Sequence, residues 1–430
     1  MRVLFVTAAF KSHLYVQVPL ATAFRNAGHE VRVAAPPEMV DAIAETGLTG
    51  IPVGTTIPLD VMMDQAEPDR GPDRSGLPVR RPPQTDYTRD DPFAELETTA
   101  FGGRTLFNHD DTFEDLVRFA RDWRPDVIIR DPFMYCGAVA ARASGAADAR
   151  MLFGADTPAQ IRADCYGAHG GLHRSDGRPD PLRDWLEPIL ERYGCAFDEE
   201  VVLGRWTVIG WPPWTWRPTD VHYLPTRPVS YHGPHTVEEW MYRRPDRPRV
   251  CLTLGISHRD LGFGHSASID TLFEAVADLD AEIIATFDDK QLATASAVPD
   301  NVRPVDFVPL NVLMPTCSAI VHHGGYGPMT AALEHGVPQL IVPNIYWSEK
   351  WWGPVALAKG LEEQGAGAYV ADADQVTADL LHDHLVKALT DPAMAENAAR
   401  LRDEHFAVPG PNDTVRVFEK LIAEHARGES

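Results

Sequence analysis

Residues 2–35, RVLFVTAAFKSHLYVQVPLATAFRNAGHEVRVAA, decide the fold. An unbroken apolar run over residues 2–10 has the length of a strand, and residues 13–27 then carry apolar side chains at helical spacing as far as Gly28. A second, β-branched run over residues 30–35 ends before two prolines. Strands that are apolar on both faces and alternate with helices are typical of a parallel sheet covered on both sides. The opening therefore predicts a strand–helix–strand unit.

The same alternation continues along the chain and restarts after a proline-rich stretch at residues 210–248. Proline ends the elements on each side of such a stretch, so we place the domain boundary within it. Each half is predicted to be a doubly wound α/β unit. The predicted helices span residues 39–46, 112–123, 137–144, 181–193, 269–279, 291–297, 329–335 and 355–364, and the further predicted strands span residues 50–53, 127–130, 250–254, 282–287, 302–307, 319–322 and 339–342.

This pattern divides the chain into four parts. Residues 1–215 are expected to form an N-terminal unit, residues 216–245 a proline-rich linker, and residues 246–410 a C-terminal unit. A last helix within residues 411–430 is expected to pack back toward the N-terminal unit. Residues 55–108 break the alternation, because they are rich in Asp, Pro and Arg and have little periodicity. Long irregular stretches in compact domains are usually functional or mobile, so a lid, a partner-binding insertion and an ordinary excursion all stay open.

Composition excludes several classes of protein. The chain has 62 acidic and 39 basic residues, and a net charge of −23 disfavours a nucleic-acid or anionic-membrane partner. No apolar run approaches the ~18–20 residues of a spanning helix, and the start of the chain is typical of a buried strand rather than of a signal peptide. The five cysteines are scattered without CxxC spacing. We therefore expect reduced thiols in a cytoplasmic protein and no zinc cluster.

Polar and glycine residues gather where the predicted strands end. In open α/β sheets, ligands bind beyond the carboxyl ends of the strands. His13 and Asp131 follow two predicted strands of the N-terminal half, whereas residues 255–257 and 322–325 follow two strands of the C-terminal half. Their agreement in position supports all four as candidate ligand-binding sites more strongly than any single motif does.

His13 is a candidate general base. A neutral imidazole accepts a proton near neutral pH when an acceptor holds it in one tautomer. Asp131, at the end of another strand of the same half, is the candidate acceptor. The alternative is that His13 caps a helix and Asp131 opens the next one, which is common in α/β turns.

Residues 319–338, AIVHHGGYGPMTAALEHGVP, give the strongest local signal for a ligand. They read as a buried strand, a glycine-rich turn and a helix. Small residues let the backbone approach a phosphate, and the N–H groups and dipole of the helix favour an anion. The alternative is a plain strand–helix turn with a core histidine. The absence of GxxxxGK[ST] excludes a classical P-loop, and the lack of an acidic residue after the first strand–helix turn disfavours NAD.

Two further features lie near predicted strand ends. Trp347, Trp351 and Trp352 lie beyond the strand at residues 339–342, where aromatic rings are able to contact a sugar or an apolar acceptor. Packing against the other domain is the alternative. The Asp-x-Asp patterns in the chain lie away from this edge and support no metal site.

Several stretches together resemble the GT-B glycosyltransferases that decorate antibiotic polyketides, most of all the macrolide and anthracycline deoxysugar transferases of actinomycetes. The resemblance covers nearly the whole chain and includes KSHLYVQVPLATAFRNAGHEVRVAAPP, FDEEVVLGRWT, RVCLTLGISHR, DAEIIATFDDKQL, PDNVRPVDFVPLNVLMPTC and VHHGGYGPMTAALEHGVPQLIVP. It implies the GT-B fold, with two Rossmann-like doubly wound parallel-sheet domains facing each other across a cleft. It also implies a metal-independent, inverting transfer of a sugar from a dTDP-sugar to an acceptor hydroxyl, with the acceptor bound by the N-terminal unit and the nucleotide sugar by the C-terminal unit.

The resemblance implies roles for individual residues. His13 matches the catalytic histidine of the family, and Asp131 matches the carboxylate that pairs with it. Ser257 matches the small hydroxyl residue beside the pyrophosphate. Phe307 and Val308 match the segment that lines the nucleobase. The residues of the donor-binding turn are His322, His323, Gly324, Gly325 and Gly327.

The chain also departs from the family pattern. Pro328 stands where the loop usually has Ser or Thr, and Ala331 stands where related enzymes often have a ribose-binding Glu. The usual Asp-Gln or Asp-Thr pair that grips the donor sugar is replaced by a region containing Trp347 and Glu349, of which Glu349 is the candidate for the Asp role. These departures leave the identity of the sugar open.

The implied function is O-glycosyl transfer of a deoxysugar to a polyketide aglycone in antibiotic biosynthesis. Two alternatives stay open: C-glycosyl transfer to an aromatic carbon by the same base, and a catalytically silent homologue that binds a nucleotide sugar. A nucleotide-sugar epimerase shares the two-domain fold but lacks the quoted stretches. The expected partners are the dTDP-sugar donor and the aglycone. A helper protein of the haem-monooxygenase fold, which several relatives require, and a homodimer are left open. No cofactor or metal is expected.

Overall fold

The computed structural model describes residues 1–56, 92–166, 178–215, 217–255, 267–343 and 353–428. Within these residues the strands form a seven-stranded and a six-stranded sheet, and neighbouring strands run parallel. The prediction of two α/β units is therefore confirmed. The strands are β1 (Arg2–Val6), β2 (Glu30–Ala35), β3 (Gly50–Pro52), β4 (Val127–Arg130), β5 (Ala147–Met151), β6 (Trp206–Ile209), β7 (Tyr223–Pro225), β8 (Arg249–Thr253), β9 (Glu282–Thr286), β10 (Val302–Val305), β11 (Ala319–His322), β12 (Gln339–Ile341) and β13 (Gly367–Tyr369).

Helices cover the faces of these sheets. None of the helices in the described ranges is long and apolar enough to cross a lipid bilayer. The α-helices are α1 (Lys11–Asn26), α2 (Val40–Glu45), α3 (Pro92–Gly102), α4 (Asp110–Trp123), α5 (Tyr135–Ser144), α6 (Thr157–Tyr166), α7 (Pro181–Glu191), α8 (Glu199–Leu203), α9 (Glu239–Tyr242), α10 (Ile269–Ala277), α11 (Asp289–Leu292), α12 (Leu310–Leu313), α13 (Tyr326–His335), α14 (Pro354–Gln364), α15 (Ala378–Thr390), α16 (Pro392–Ala407) and α17 (Pro411–Ala426). A π-helical turn, Gly103–Phe107, follows α3.

The strand order places the predicted site residues at the centre of each sheet. The first sheet has the order β3-β2-β1-β4-β5-β6-β7 and the second has the order β10-β9-β8-β11-β12-β13. Successive strands are added toward one edge of the first sheet up to β3 and toward the other edge from β4 onward, so the strand order reverses between β1 and β4. In the second sheet the strand order reverses between β8 and β11. The crevice at such a reversal is where open α/β sheets bind ligands. His13, Asp131, Gly255 and His323 follow these four strands, so both pairs lie at a switch point.

The prediction of an irregular stretch over residues 55–108 is wrong for its final part. Residues 92–102 form α3, whose buried Phe93, Leu96 and Ala100 lie on one face, and the π-helical turn follows directly. Apolar spacing of this kind drives helix formation because it buries one stripe of the helix against the core. Residues 57–91, the remainder of the predicted insertion, lie outside the described residues.

The chain between the two sheets also contributes to the first one. Strand β7, within the stretch predicted as a linker, pairs with β6 and extends the N-terminal sheet. The last helix, α17, buries Val415 and Phe418 in the core of the same sheet, where the Phe418 ring meets the Phe24 ring at 5.6 Å. The polypeptide therefore returns to its first unit at its end.

The two halves share an apolar cluster. Leu152, Ile209 and Trp211 of the N-terminal half pack with Met329 and Leu357 of the C-terminal half. This cluster lies next to the carboxyl ends of β5, β6 and β12 and at the base of α13. It holds helix α13 against the N-terminal unit.

Candidate active site

His13 and Asp131 form a hydrogen-bonded pair at the first switch point. The Nδ1 atom of His13 lies 2.6 Å from Oδ2 of Asp131. The other carboxylate oxygen of Asp131 accepts a hydrogen bond from the backbone N–H of Phe133 at 2.9 Å. The side chains are 13% and 2% exposed, respectively. Because the carboxylate accepts from Nδ1–H, the pair assigns the tautomer in which Nε2 is left as a proton acceptor.

Four phenylalanines enclose this pair; we call Phe10, Phe107, Phe133 and Phe153 the phenylalanine enclosure. The Phe153 ring lies 3.9 Å from the His13 ring, and the Phe10 ring lies 5.0 Å from it. Phe107 and Phe133 stack on each other behind them, with ring centres 5.5 Å apart. The partly exposed imidazole of His13 therefore lies next to the rings of Phe10 and Phe153.

Sequence reasoning missed the phenylalanine enclosure, although a signal for it was present. Phe10 follows β1, Phe133 follows β4 and Phe153 follows β5, so three of the rings lie just beyond the carboxyl ends of neighbouring strands. The same strand-end argument that selected His13 applies to them.

Asn108 is a second residue that sequence reasoning missed. Its side-chain amide donates to the carbonyl oxygens of Gly103 and Phe133, each at 2.8 Å, and its Oδ1 accepts from the N–H of Cys136 at 2.8 Å. The side chain is buried. Asn108 therefore ties the π-helical turn, which carries Phe107, to the loop that carries Asp131.

The turn between β11 and α13 is shaped to bring backbone close to a ligand. Gly324 has φ +81°, and a Cβ added there would lie 2.5 Å from Cβ of Pro354, so only glycine fits. Gly327, in the first turn of α13, has open space where a side chain would stand. No side chain caps this helix. The first N–H groups of a helix have no partner within it, so they are available to an anion. Pro328 removes one of these donors, as expected for its ring.

His322 has a different role from the donor contact that we predicted. Its Nδ1 accepts from the N–H of Gly324 at 3.0 Å, and its Nε2 lies 3.1 Å from Oε1 of Gln339. Both ring nitrogens are therefore used inside the protein. Burial lowers the pKa of His322 to about 4, so the ring is neutral at pH 7. It supports the turn rather than contacting a ligand.

His323 lies where the turn after β8 meets the turn after β11. Its buried ring lies beside Gly255, and its Nε2 is 3.4 Å from the position that a Cβ on Gly255 would take. Gly255 has φ +79° and lies two residues before Ser257, the predicted hydroxyl residue. The turns after β8 and β11 thus meet at the second switch point, as their common strand-end position predicts.

The remaining predicted donor residues have mixed placements. Val308 is buried in a core cluster with Leu310, so its side chain is not available to a nucleobase. Phe307 is half-buried, and its ring centre lies 6.3 Å from that of His235. Ser257, Trp347, Trp351, Trp352 and Glu349 lie outside the described residues.

The described residues contain no cluster of three or more His, Cys, Asp or Glu side chains that would hold a metal ion. Four buried charged residues of β4, β5 and the segment after β5 form ion pairs within the fold. Arg130 and Asp148 form a buried ion pair with a 3.0 Å contact, and Arg150 pairs with Asp156 at 2.8 Å. These pairs fix β4, β5 and the start of α6, which position the loops that carry Asp131 and Phe153.

Two family models cover most of the chain. The model described as "Erythromycin biosynthesis protein CIII-like, N-terminal domain" matches residues 22–255, and the corresponding C-terminal domain model matches residues 270–421. The two matched ranges contain both switch points except for His13.

Individual relatives match over almost their whole length. The aclacinomycin-T 2-deoxy-L-fucose transferase of Streptomyces galilaeus is 43% identical and covers 99% of this chain and 97% of its own. The 3-alpha-mycarosylerythronolide B desosaminyl transferase of Saccharopolyspora erythraea is 41% identical and covers 98% and 99%. The solved structure of glycosyltransferase VinC in complex with dTDP is 37% identical, with a TM-score of 0.83 over 99% of this chain and 100% of that one.

Proposed function

The chain belongs to the erythromycin biosynthesis protein CIII-like glycosyltransferases, and from that premise we propose how it transfers its sugar. It has the GT-B fold and is a glycosyltransferase that uses dTDP-sugars, moving a deoxysugar to a polyketide aglycone. Our proposal concerns the finer chemistry: an inverting, metal-independent transfer to an acceptor hydroxyl in which His13 is the general base.

The observation that carries the proposal is the hydrogen bond between His13 and Asp131. A histidine whose Nδ1–H is held by a buried carboxylate has its Nε2 free to take a proton, and the carboxylate stabilises the imidazolium that results. The backbone N–H of Phe133 fixes the carboxylate in turn. This arrangement argues for a working catalyst over a silent homologue, which would have no need of it.

The donor diphosphate is proposed to lie at the amino end of α13. The backbone around Gly325 and Gly327 is open there, and the positive end of the helix dipole compensates negative charge on the leaving group. His323, beside Gly255, is the side chain placed to contact the same phosphates. In this proposal the helix, the turn and the histidine do the work that a divalent metal does in other transferases.

The transfer itself is proposed to be a single displacement. The acceptor oxygen attacks the anomeric carbon while its proton passes to Nε2 of His13. The bond from the anomeric carbon to the phosphate oxygen breaks, and dTDP leaves with the electron pair. One in-line displacement inverts the configuration at the anomeric carbon.

The proposal is tested by incubating the purified protein with a dTDP-deoxysugar and a polyketide aglycone, with and without chelator, and identifying the product. The assay is run alone and with a helper protein of the haem-monooxygenase fold. We expect a product heavier by one deoxysugar, with an acid-labile O-glycosidic bond of inverted configuration and a yield unaffected by chelator. A strict requirement for Mg²⁺ or Mn²⁺, or an acid-stable carbon–carbon linkage, would overturn the finer chemistry.

A further inference from the structure

The phenylalanine enclosure around His13 favours one class of acceptor. Resting on the function proposed above, we infer that the acceptor is a planar, fused-ring aromatic aglycone that stacks on Phe10 and Phe153, rather than a saturated macrolactone. Both rings lie close to His13, the residue that we propose takes the proton from the acceptor.

Phe10 and Phe153 are both close to the imidazole and both only half-buried. The Phe153 ring lies 3.9 Å from the His13 ring at an interplanar angle of 34°, and the Phe10 ring lies 5.0 Å away at 36°. Each ring therefore keeps some surface for a ligand. An acceptor whose hydroxyl reaches Nε2 of His13 has its ring system next to one or both of them.

The aromatic surface continues behind these two rings. Phe107 and Phe133 are buried and nearly parallel, at 18° and 5.5 Å. Phe107 also meets Phe10 at 6.1 Å, and Phe133 meets Phe153 at 5.8 Å. Leu4 and Val6 of β1 and Ile128 of β4 belong to the same buried cluster as Phe107 and Phe133. Four phenylalanine rings are thus concentrated beside His13.

This concentration favours one acceptor class over the other. Burial of apolar area stabilises a macrolactone and an aromatic aglycone alike, because the hydrophobic effect is non-directional. Pairs of aromatic rings gain a further contribution from offset stacking and edge-to-face contact, equivalent to roughly threefold to tenfold in affinity for each pair. A saturated lactone has no π-face and gains nothing from it.

The inference is tested by calorimetric binding to the full-length protein, with and without dTDP. The probes are a tetracyclic anthracyclinone and a 14-membered macrolactone aglycone. We expect the anthracyclinone to bind at least about tenfold more tightly, the product of the two aromatic pairs that Phe10 and Phe153 supply. Phe10→Leu and Phe153→Leu should each weaken it by about threefold to tenfold and leave macrolactone binding within about twofold.

The control is Phe406→Leu, which changes a ring that is 50% exposed on α16. It should alter neither affinity. Thermal unfolding and dTDP affinity verify that each variant is folded.

Equal or tighter binding of the macrolactone, binding of neither aglycone, or unchanged anthracyclinone binding in both Leu variants would overturn the inference. The dTDP arm keeps this outcome separate from the proposed function: loss of all dTDP binding contradicts the proposed donor, whereas the aglycone measurements without dTDP still decide the acceptor class.

Discussion

The Nδ1 atom of His13 lies 2.6 Å from Oδ2 of Asp131, although 118 residues separate the two in the chain. Their strands, β1 and β4, are neighbours with Phe5 opposite Ile129. The strand order alone therefore delivers the histidine and the carboxylate to the same edge. The hydrogen bond between them orients His13 for its proposed role as general base.

Asp131→Asn should lower kcat by about tenfold to a hundredfold, less than loss of the histidine itself, because the base remains but its imidazolium loses the opposing charge. The KM for the dTDP-sugar should stay within about twofold, since Asp131 lies in the N-terminal half, which we expect to bind the acceptor. Steady-state kinetics measure both constants. Asp110→Asn, at an exposed carboxylate on α4, is the matched control and should change neither. A rise in donor KM without a fall in kcat would show that Asp131 has another role.

Asn108→Ala should destabilise the fold by about 2–4 kcal/mol, because it leaves the buried Phe133 carbonyl and the Cys136 N–H without their Asn108 partner and removes one of the two hydrogen bonds to the Gly103 carbonyl. The free energy of unfolding in urea measures this loss. Asn397→Ala, which removes only a 3.4 Å contact to the carbonyl of Gly365, should cost less than about 1 kcal/mol. Equal costs for the two variants would contradict the tie between the π-helical turn and the Asp131 loop.

Substitutions of Gly324, between β11 and α13, and of Gly327, in the first turn of α13, should distinguish an effect on folding from an effect on dTDP binding. Gly324→Ala places a Cβ 2.5 Å from Pro354 at positive φ, so we expect a loss of about 2–4 kcal/mol in unfolding free energy. Gly327→Ala meets no atom within 4 Å and should leave Tm unchanged or slightly raised, because alanine favours a helix.

Both glycine variants should nevertheless bind dTDP more weakly, since a methyl group at Gly327 would stand where the backbone approaches the phosphates. Calorimetric titration with dTDP measures this. If Gly327→Ala bound dTDP as tightly as the unchanged protein, the diphosphate would lie elsewhere.

Burial of His405 should make the protein less stable in acid. Burial, and then the charge of Arg227, lowers the pKa of His405 to about 4. The unfolded chain, with a histidine pKa near 6.5, binds more protons than the folded one between these values. The contribution of the neutral His405 to the free energy of unfolding is therefore fully present above pH 6.5. It falls by up to about 3 kcal/mol as the pH drops toward 4. Urea unfolding of His405→Gln should show a weaker pH dependence over this window, and an unchanged slope would count against the assignment.

Strand-end reasoning predicted His13 and Asp131 because it depends on topology, which strand–helix alternation reveals. The same reasoning did not find β5, ADARM, because Asp148 and Arg150 make its sequence look unlike a buried strand. The structure explains the difference: Arg130 pairs with Asp148, and Asp156 pairs with Arg150. These partners lie outside the strand itself, six and 18 residues away, so the pattern of the strand does not reveal them.

The sequence also did not predict the different roles of side chains within the turns. His322 and His323 are adjacent and identical, yet one ring is bonded to Gln339 inside the core and the other lies against Gly255. Which of the two faces the ligand depends on the backbone of Gly324 and on strand β12. The phenylalanine enclosure likewise depends on how four separate loops meet.

The most direct test of the account is the turnover number of His13→Ala, measured together with its dTDP affinity. General-base catalysis contributes typically about 10²–10⁴-fold, so we predict a fall of that size in kcat with dTDP binding unchanged within about twofold. His425→Ala, a histidine on the last helix, is the control and should keep full turnover. Turnover of His13→Ala close to that of the unchanged protein would contradict the central claim that His13 takes the proton of the acceptor.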